Sequence, residues 1–416
     1  MAQLSDDCFA HGDRLLRVDE ALAEIRERIT AVAEPETVGL NDALGRVLLA
    51  DVVSGIDVPQ HGNSAVDGYA VFFDDLNREG ETTLPVTGRV AAGHALDRPA
   101  RRGEAIRIFT GAPMPDGPDT VMMQEDCRED GGQVTIKPGI ARGANQRAAG
   151  EDVKAGSTVL RAGQRLRPQD LGQAAAVGRN TLEVARPLKV GVVSTGDELC
   201  EPGGPLRDGG IYDSNRFTVQ GLLRQLGCRV YDLGILPDDR EAVTDALADA
   251  AERLDLVVTS GGVSVGEEDH VKQAVQSLGQ LHTWRLAIKP GRPIALGQIG
   301  RVPFVGLPGN PVAVVVTFVT IVRPLVLRML GGRVEKPHLF KVKAGFDHKK
   351  KRERREWVRV RLVAQAGELR VDKYPSQGAG VLSSIVESDG LVELPEEMTQ
   401  LEAGTLVDFL PFSEVA

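Results

Sequence analysis

Val18, Leu22, Ile25 and Ile29 recur at helical spacing with Glu and Arg between them, which predicts an amphipathic helix over Val18 to Ala33. A second helical pattern covers Leu40 to Leu49. The rhythm then turns strand-like, from Ile56-Asp57-Val58-Pro59 into Ala65-Val66-Asp67-Gly68-Tyr69-Ala70-Val71. Short apolar runs follow at Leu84 to Val90, Ala105 to Phe109, Thr120 to Gln124 and Gln133 to Ile136, each bounded by Gly, Pro or Asp. Strands at this spacing without helices predict a small β domain from about residue 55 to 150. Glu151 to Arg186 is a further β-turn-rich stretch, expected to rejoin the N-terminal helices as one discontinuous unit.

From Pro187 strands and helices alternate. Leu188 to Val193, Cys228 to Leu233 and Leu254 to Thr259 read as strands. Asn215 to Leu226, Asp239 to Arg253 and a segment beginning near Asp269 read as helices. This alternation predicts a parallel sheet with right-handed crossovers. Asn310-Pro311 then opens a long helix, with Asn as N-cap and Pro at the first helical position. Beyond Gly332 the chain is strand-like again. The expected units are 1–54 plus 152–186, 55–151, 187–332 and 333–416.

A length of 416 residues exceeds one ordinary core and agrees with two to four domains. Hydrophobic residues at 42% and charged residues at 26% place the chain among globular proteins. The net charge of −10 argues against a general nucleic-acid or membrane-surface binder, and an anionic substrate would need a local basic patch or a bound cation. Cys8, Cys127, Cys200 and Cys228 form no C-x-x-C pair, which suits a reducing, cytoplasmic compartment. Met1 to Ala10 has no apolar core of a signal peptide. Val312 to Val322, the most apolar run, reads as a buried helix too short to span a bilayer.

In an open α/β sheet ligands bind beyond the carboxyl ends of the strands. Here those ends carry Ser194-Thr195-Gly196-Asp197-Glu198, then Pro237-Asp238-Asp239, then Ser260-Gly261-Gly262-Val263-Ser264-Val265-Gly266-Glu267-Glu268-Asp269. Glycines and small hydroxyl residues let backbone N–H groups approach a phosphate. Carboxylates repel a bare phosphate, so their clustering points to Mg²⁺ between the acids and the phosphate oxygens. Helix capping explains any one of these acids; the three-loop set favours a metal–phosphate site.

The loop Arg285-Leu286-Ala287-Ile288-Lys289-Pro290-Gly291-Arg292-Pro293 is stiffened by two prolines and offers Lys289 and Arg292 to a second anion. Gly306-Leu307-Pro308-Gly309-Asn310-Pro311 ends a strand (Val302 to Val305) and presents another helix N-terminus toward the same crevice. Asp67 is unusual in an otherwise apolar run, and Thr110-Gly111-Ala112-Pro113-Met114-Pro115 is similarly dense. The basic segment His348 to Arg355 reads as a solvated hairpin tip. With no Ser-His-Asp or Cys-His arrangement and no metal-ligand spacing among the histidines, metal-assisted phosphoryl or anhydride chemistry is the best enzymatic class.

Taken together these segments resemble the molybdopterin molybdenumtransferase family, to which the C-terminal domain of gephyrin also belongs. The marks run in order along nearly the whole chain: Asn63 to Ala70, Thr110 to Pro113, Gly150-Glu151-Asp152, Ser194 to Leu199, Ser260 to Gly266, Lys289 to Pro293 and Gly306 to Pro311. The resemblance implies a multidomain α/β plus β protein. Its parts would be a central parallel-sheet domain binding molybdopterin, a small β domain, a helical and extended N-terminal dimerisation domain, and a C-terminal β-barrel-like domain. It implies a Mg²⁺-assisted reaction of adenylylated molybdopterin with molybdate, giving molybdenum cofactor and AMP. It also implies an elongated homodimer with a cleft shared between subunits, and extends the partners to the molybdopterin adenylyltransferase and molybdoenzymes.

Residue by residue, the family's acids fall on Asp67, Asp152, Glu198, Asp238 or Asp239, and Asp269, with the hydroxyl on Thr110. Glu198, Asp238, Asp239 and Asp269 are the implied metal set, and Asp67 and Thr110 would face them from the partner subunit. Lys289, Arg292, Pro293 and Arg359 would hold molybdate, with Lys289 also counted among the catalytic groups. Ser194, Thr195, Gly196, Ser260, Gly261, Gly262, Ser264, Gly266 and Asn310 would complete the substrate site. The chain departs from the family pattern at Arg285 and Arg292, where Lys is frequent, and at Ala313 and Ala379, near positions often hydroxylated; Ser376 is the candidate to compensate. Two other readings compete: a non-catalytic dimeric scaffold, disfavoured by the retained acids, and a molybdopterin adenylyltransferase, disfavoured by the extra β domains.

Overall fold

The computed structural model describes residues 14–261, 270–334, 336–365 and 367–415. Its centre is a seven-stranded sheet in the order Leu15–Leu16, Gly279–Leu286, Pro293–Ile299, Val302–Leu307, Leu256–Ser260, Lys189–Thr195, Arg229–Leu236. The last four are mutually parallel, as their alternation with helices predicts. Pro293–Ile299 runs antiparallel to Val302–Leu307, and Gly279–Leu286 antiparallel to Pro293–Ile299. The sheet is therefore mixed, which corrects the all-parallel expectation. The segment 285–293, read from sequence as a stiff loop, is the tip of this added hairpin.

Helices cover both faces. One face packs Val219, Leu222 and Leu223 of helix Asn215–Gln225 together with the helical run Pro311–Met329. The other packs Val243 and Leu247 of helix Arg240–Arg253 with Val271, Ala274 and Val275 of helix His270–Leu278. Pro311–Met329 extends beyond the predicted Val312–Val322. A π turn at Phe318–Val322 precedes Pro324, a local widening that lets the helix continue past a residue with no N–H to donate. By length and composition this 19-residue run could cross a membrane, yet its most apolar window is 83% buried within the protein. It is a core helix.

The first helix spans Val18–Arg28, shorter than predicted, and Val18, Ala21, Leu22 and Ile25 join the core of the α/β layer. Leu40 to Leu49 is not the predicted helix. A single 3-10 turn at Leu40–Asp42 is followed by strand-like bridges from Val47 to Arg165 and from Leu48 to Val184. Gly45 inside the run disfavours a helix by about 1 kcal/mol relative to Ala, and the bridges bury Val47 and Leu48. Pro35–Gly39 pairs with Thr181–Ala185, and Val52–Val53 with Thr158–Leu160. Residues 35–53 and 153–184 thus share one core, containing Leu48, Val52, Val153, Leu160 and Leu182. The turn-rich stretch also holds a helix the pattern did not reveal, Pro168–Ala176, started by Pro168 and an Arg167–Asp170 capping box.

Between the two halves of this unit sits a six-stranded sheet in the order Thr120–Met123, Gly68–Val71, Ala105–Ile108, Thr82–Val90, Gln133–Ile136, Cys127–Asp130. Its entry and exit run side by side. Val58 and Val153 exchange backbone hydrogen bonds at 2.7 and 3.1 Å, and Gly150 N donates to Pro59 O at 2.9 Å. At the C-terminus the strands Arg355–Gln365, Glu368–Lys373, Phe340–Ala344, Leu406–Pro411 and Gly390–Leu394 close on themselves as a barrel. The short strand Ile288–Lys289 from the α/β hairpin adds to it, parallel to Arg355-Glu356.

Phe318 is completely buried where the core helix meets the sheet. Phe318→Ala is expected to destabilise the chain by about 3–5 kcal/mol, as large-to-small aromatic core changes do. Denaturant unfolding checks this, and a loss below about 1 kcal/mol would contradict the packing described.

Candidate active site

The chain reverses direction across the sheet at strand Lys189–Thr195, with Arg229–Leu236 on one side and Leu256–Ser260 on the other. A crevice opens beyond the carboxyl ends of strands at such a switch point. In this structure it is a cavity of about 860 Å³. One wall carries Thr195, Gly196, Glu198, Asp238 and Gly261, and the facing wall Lys289 to Pro293. Pro308, Gly309, Asn310 and Ala313 at the start of the core helix contribute a third side, and Gln377 and Ala379 reach in from the C-terminal domain.

The acidic wall depends on two local devices. Gly196 has φ +144, and a Cβ there would come within 2.6 Å of Glu198 Oε2, so the missing side chain is what lets the Glu198 carboxylate fold back over the strand end. Asp238 and Asp239 divide their tasks. Asp239 accepts the Ala242 N–H at 2.8 Å and caps helix Arg240–Arg253, while Asp238 lines the cavity with His270 Nε2 at 3.9 Å. Of the two, Asp238 is the one placed to meet a ligand. Thr195 borders the cavity, and its Oγ1 is buried beneath that surface without a hydrogen-bond partner among the described residues.

The basic wall is built by the hairpin tip. Leu286 N donates to Arg292 O at 2.7 Å, closing the loop. A Cβ at Gly291, where φ is +95, would fall 2.5 Å from Thr317 Oγ1, so glycine permits the loop to lie directly on the core helix. Lys289 Nζ donates to Glu356 Oε1 at 2.7 Å, and His348 Nε2 lies 3.0 Å from the same oxygen. Glu356 is 3% exposed, and burial alone would raise its pKa; the hydrogen bonds from His348 and Lys289 overcome this and hold it at about 2. The Arg292 side chain has no hydrogen bond or ion pair among the described residues, and the residue lines the cavity.

Several sequence candidates lie elsewhere. Ser194 and Ser260 are buried within their strands and do not line the cavity. Arg359 is 2% exposed and donates to Ser384 Oγ at 3.1 Å and Gly378 O at 3.0 Å. Its own backbone N–H and C=O bond the Gln377 side chain, each at 3.1 Å. Arg359 therefore props the loop that presents Gln377 and Ala379, instead of lining the cavity itself; Val358 and Val360 fill the barrel core and Arg359 takes the opposite face of the strand, against that loop. Ser376 is exposed and is not part of the lining. Gly262, Ser264, Gly266 and Asp269 lie outside the described residues.

Asp67, Thr110 and Asp152 belong to the small β domain and its neck and do not line this cavity. Asp67 accepts two hydrogen bonds of 2.8 Å, from the Thr110 N–H and its Oγ1. These bonds, aided by Arg107, keep its carboxyl below the usual range and fix its direction. Asp152 is exposed, its N–H given to Val58 O at 3.0 Å.

Sequence reading passed over Glu356, His348, His270 and Gln377. The basic run His348 to Arg355 is an exposed turn only at Lys351 to Glu353, and its flanks are held by the protein. Lys350 Nζ donates to Pro395 O at 2.7 Å and Met398 O at 2.6 Å, and Arg355 pairs with Asp19, Glu393 and Glu396. The signal available was Glu356 itself, an acid within a β-period apolar strand.

Comparison with known proteins follows the same division. Family models described as "MoeA N-terminal region (domain I and II)", "Probable molybdopterin binding domain" and "MoeA C-terminal region (domain IV)" match residues 16–178, 191–328 and 341–412. A molybdopterin molybdenumtransferase of Haemophilus influenzae is 40% identical over 404 residues, covering 96% of this chain and 100% of that protein. Molybdopterin molybdenumtransferase 2 of Mycobacterium tuberculosis is 36% identical over 403 residues, covering 92% and 98%. The crystal structure of the molybdopterin biosynthesis moeA protein from Pyrococcus horikoshii superposes with a TM-score of 0.80 at 30% identity, over 95% of this chain and 99% of that one.

The depressed Glu356 carboxyl fixes a sign. Its contribution to stability is fully present above about pH 4.5 and is lost as pH falls toward about 2, an amount on the order of 3 kcal/mol. In Glu356→Gln the acid-side decline should be shallower than in the unmodified chain. Unfolding midpoints measured through that window test it; parallel declines would show that Glu356 is not held ionised by its neighbours.

Proposed function

The chain belongs to the molybdopterin molybdenumtransferase family, and from that premise we propose how its own residues insert molybdate into adenylylated molybdopterin with release of AMP. The supporting observation is one cavity with Glu198 and Asp238 on one wall and Lys289 and Arg292 on the other. A substrate with a diphosphate bridge and a separate oxyanion needs that division of charge.

In this reading Thr195, Gly196 and Gly261 receive the phosphate-bearing substrate at the strand ends, and the helix start at Asn310 adds favourable N–H dipoles. Lys289 and Arg292 bind molybdate. Arg292 offers a free planar fork, and Lys289 is held in place by Glu356 so that its charge is positioned before the oxyanion arrives. Glu198 and Asp238 suit Mg²⁺, which takes one or two protein carboxylates and completes its shell with water and substrate phosphates. When bound, Mg²⁺ offsets the charge that develops on the diphosphate as AMP leaves. Asp269 is proposed as a further member of this acidic wall.

Asp67 and Thr110 are preorganised toward each other but are not among the residues lining this cavity, so we assign them to the cleft of a second copy in a homodimer. Asp152, at the neck, is assigned to the same border. The absence of a C-x-x-C pair supports a reducing, cytoplasmic setting for the reaction.

AMP release from adenylylated molybdopterin should require both Mg²⁺ and molybdate; release that ignores either one removes that part of the reading. Lys289→Ala should raise the molybdate needed for half-maximal release on the order of ten- to a hundredfold, the loss of one charge-assisted hydrogen bond. An unchanged requirement would displace Lys289 from the oxyanion site. A shared cleft makes a separate claim. Asp67→Ala and Glu198→Ala chains, each inactive alone, should recover about a quarter of the normal rate when mixed and allowed to exchange subunits. No recovery would mean the two residues do not serve one cleft from opposite subunits.

A further inference from the structure

A second cavity, of about 480 Å³, opens where the discontinuous unit, the core helix and the segment leading into the barrel meet, and none of its lining residues borders the active-site cavity. Its charge is opposite to that of the molecule, which carries a net −10. Part of the charge is already balanced. Arg167 donates twice to Asp170, both at 3.1 Å, and Lys336 pairs with Asp19 at 2.6 Å. What is left is Arg165, Arg323 and Arg333 against one carboxylate, Glu414.

None of those three guanidiniums forms a contact ion pair among the described residues. Arg165 spends its donors on the carbonyls of Gly45, at 3.0 Å, and Gln225. The Arg323 side chain forms no hydrogen bond or contact ion pair among the described residues, and its Nε is fully enclosed without a partner. Burial disfavours its charge and Arg165 repels it, with Glu414 only partly offsetting both. A guanidinium cannot shed its proton to escape this, so the charge stays and its cost stays with it. A smaller hollow of about 210 Å³ shares Arg165, Arg323 and Glu414, leaving room on both sides of the pair.

We propose that this cavity is a binding site for a small phosphate anion, seated between Arg323, Arg165 and Arg333. All three arginines line one void, where Arg323 and Arg333 keep side-chain N–H groups for phosphate oxygens and Arg165 adds charge, and an enclosed anion would offset the repulsion between Arg165 and Arg323. Because the three arginines come from three parts of the fold, the anion would also tie those parts together.

Calorimetric titration of the full chain with inorganic phosphate and with pyrophosphate tests the site. Running the same titrations on the Lys289→Ala chain separates it from the active-site cavity. Binding should persist in Lys289→Ala, weaken with added salt, and weaken about tenfold or more in Arg323→Gln. Arg333 is exposed, so Arg333→Gln offers the same readout without disturbing the core, and its AMP release should match that of the unmodified chain. Glycerol 3-phosphate binding as tightly as phosphate would assign the occupant to phosphate esters, and weaker binding to the free anion. No binding of phosphate or pyrophosphate, or binding that survives both arginine variants, overturns the proposal.

Discussion

A carboxylate sealed from water has to be answered by positive charge, and at Glu356 that requirement organises much of the molecule. The residue sits in the barrel, yet one of its two closest cations, Lys289, comes from the hairpin added to the α/β sheet. The bond between them continues a strand addition, with Arg355 N donating to Ala287 O at 2.8 Å and Ala287 N to Leu16 O at 2.8 Å. Three separate stretches of chain are thus laid side by side at one point. The lysine that faces the cavity is oriented by a group outside it, which makes the basic wall a property of the packing of two domains.

The opposite wall obeys a different logic. Among the described residues neither Glu198 nor Asp238 pairs with a Lys or Arg; backbone geometry and division of labour keep them there. Glu198 folds over a strand end that tolerates no side chain at Gly196, and Asp239 takes the capping duty that would otherwise draw Asp238 away. Separation of like charges onto one wall and unlike charges onto the other gives the cavity a direction. An anionic group meets Lys289 and Arg292 directly, and would meet Glu198 and Asp238 only through a bound cation.

Sequence periodicity exposed the helices and parallel strands of the α/β layer because each buries a stripe or a whole run, and such burial leaves its period in the residues. It failed where burial was set by distant partners. Leu40 to Leu49 has helical spacing, but Val47 and Leu48 are claimed by Arg165 and Val184 more than a hundred positions later. The hairpin flanking Lys289 was hidden because its prolines and glycine read as a loop. Motif order brought Glu198, Asp238, Lys289 and Arg292 to notice, and all four line one cavity. Arg359 was equally visible, but its donors are taken by Ser384 and Gly378 of the neighbouring loop, a pairing that no local pattern announces.

The side-by-side entry and exit of the small β domain bears on the entropy of the unit into which it is inserted. Strands Val52–Val53 and Thr158–Leu160 are far apart along the chain, and pairing them through a flexible connector would carry a closure penalty that grows with the logarithm of its length. The bonds between Val58 and Val153 pinch that connector off close to its base. Once the insert has folded, the remaining ring is only a few residues around, and the host sheet closes as though the hundred or so residues between were a tight turn.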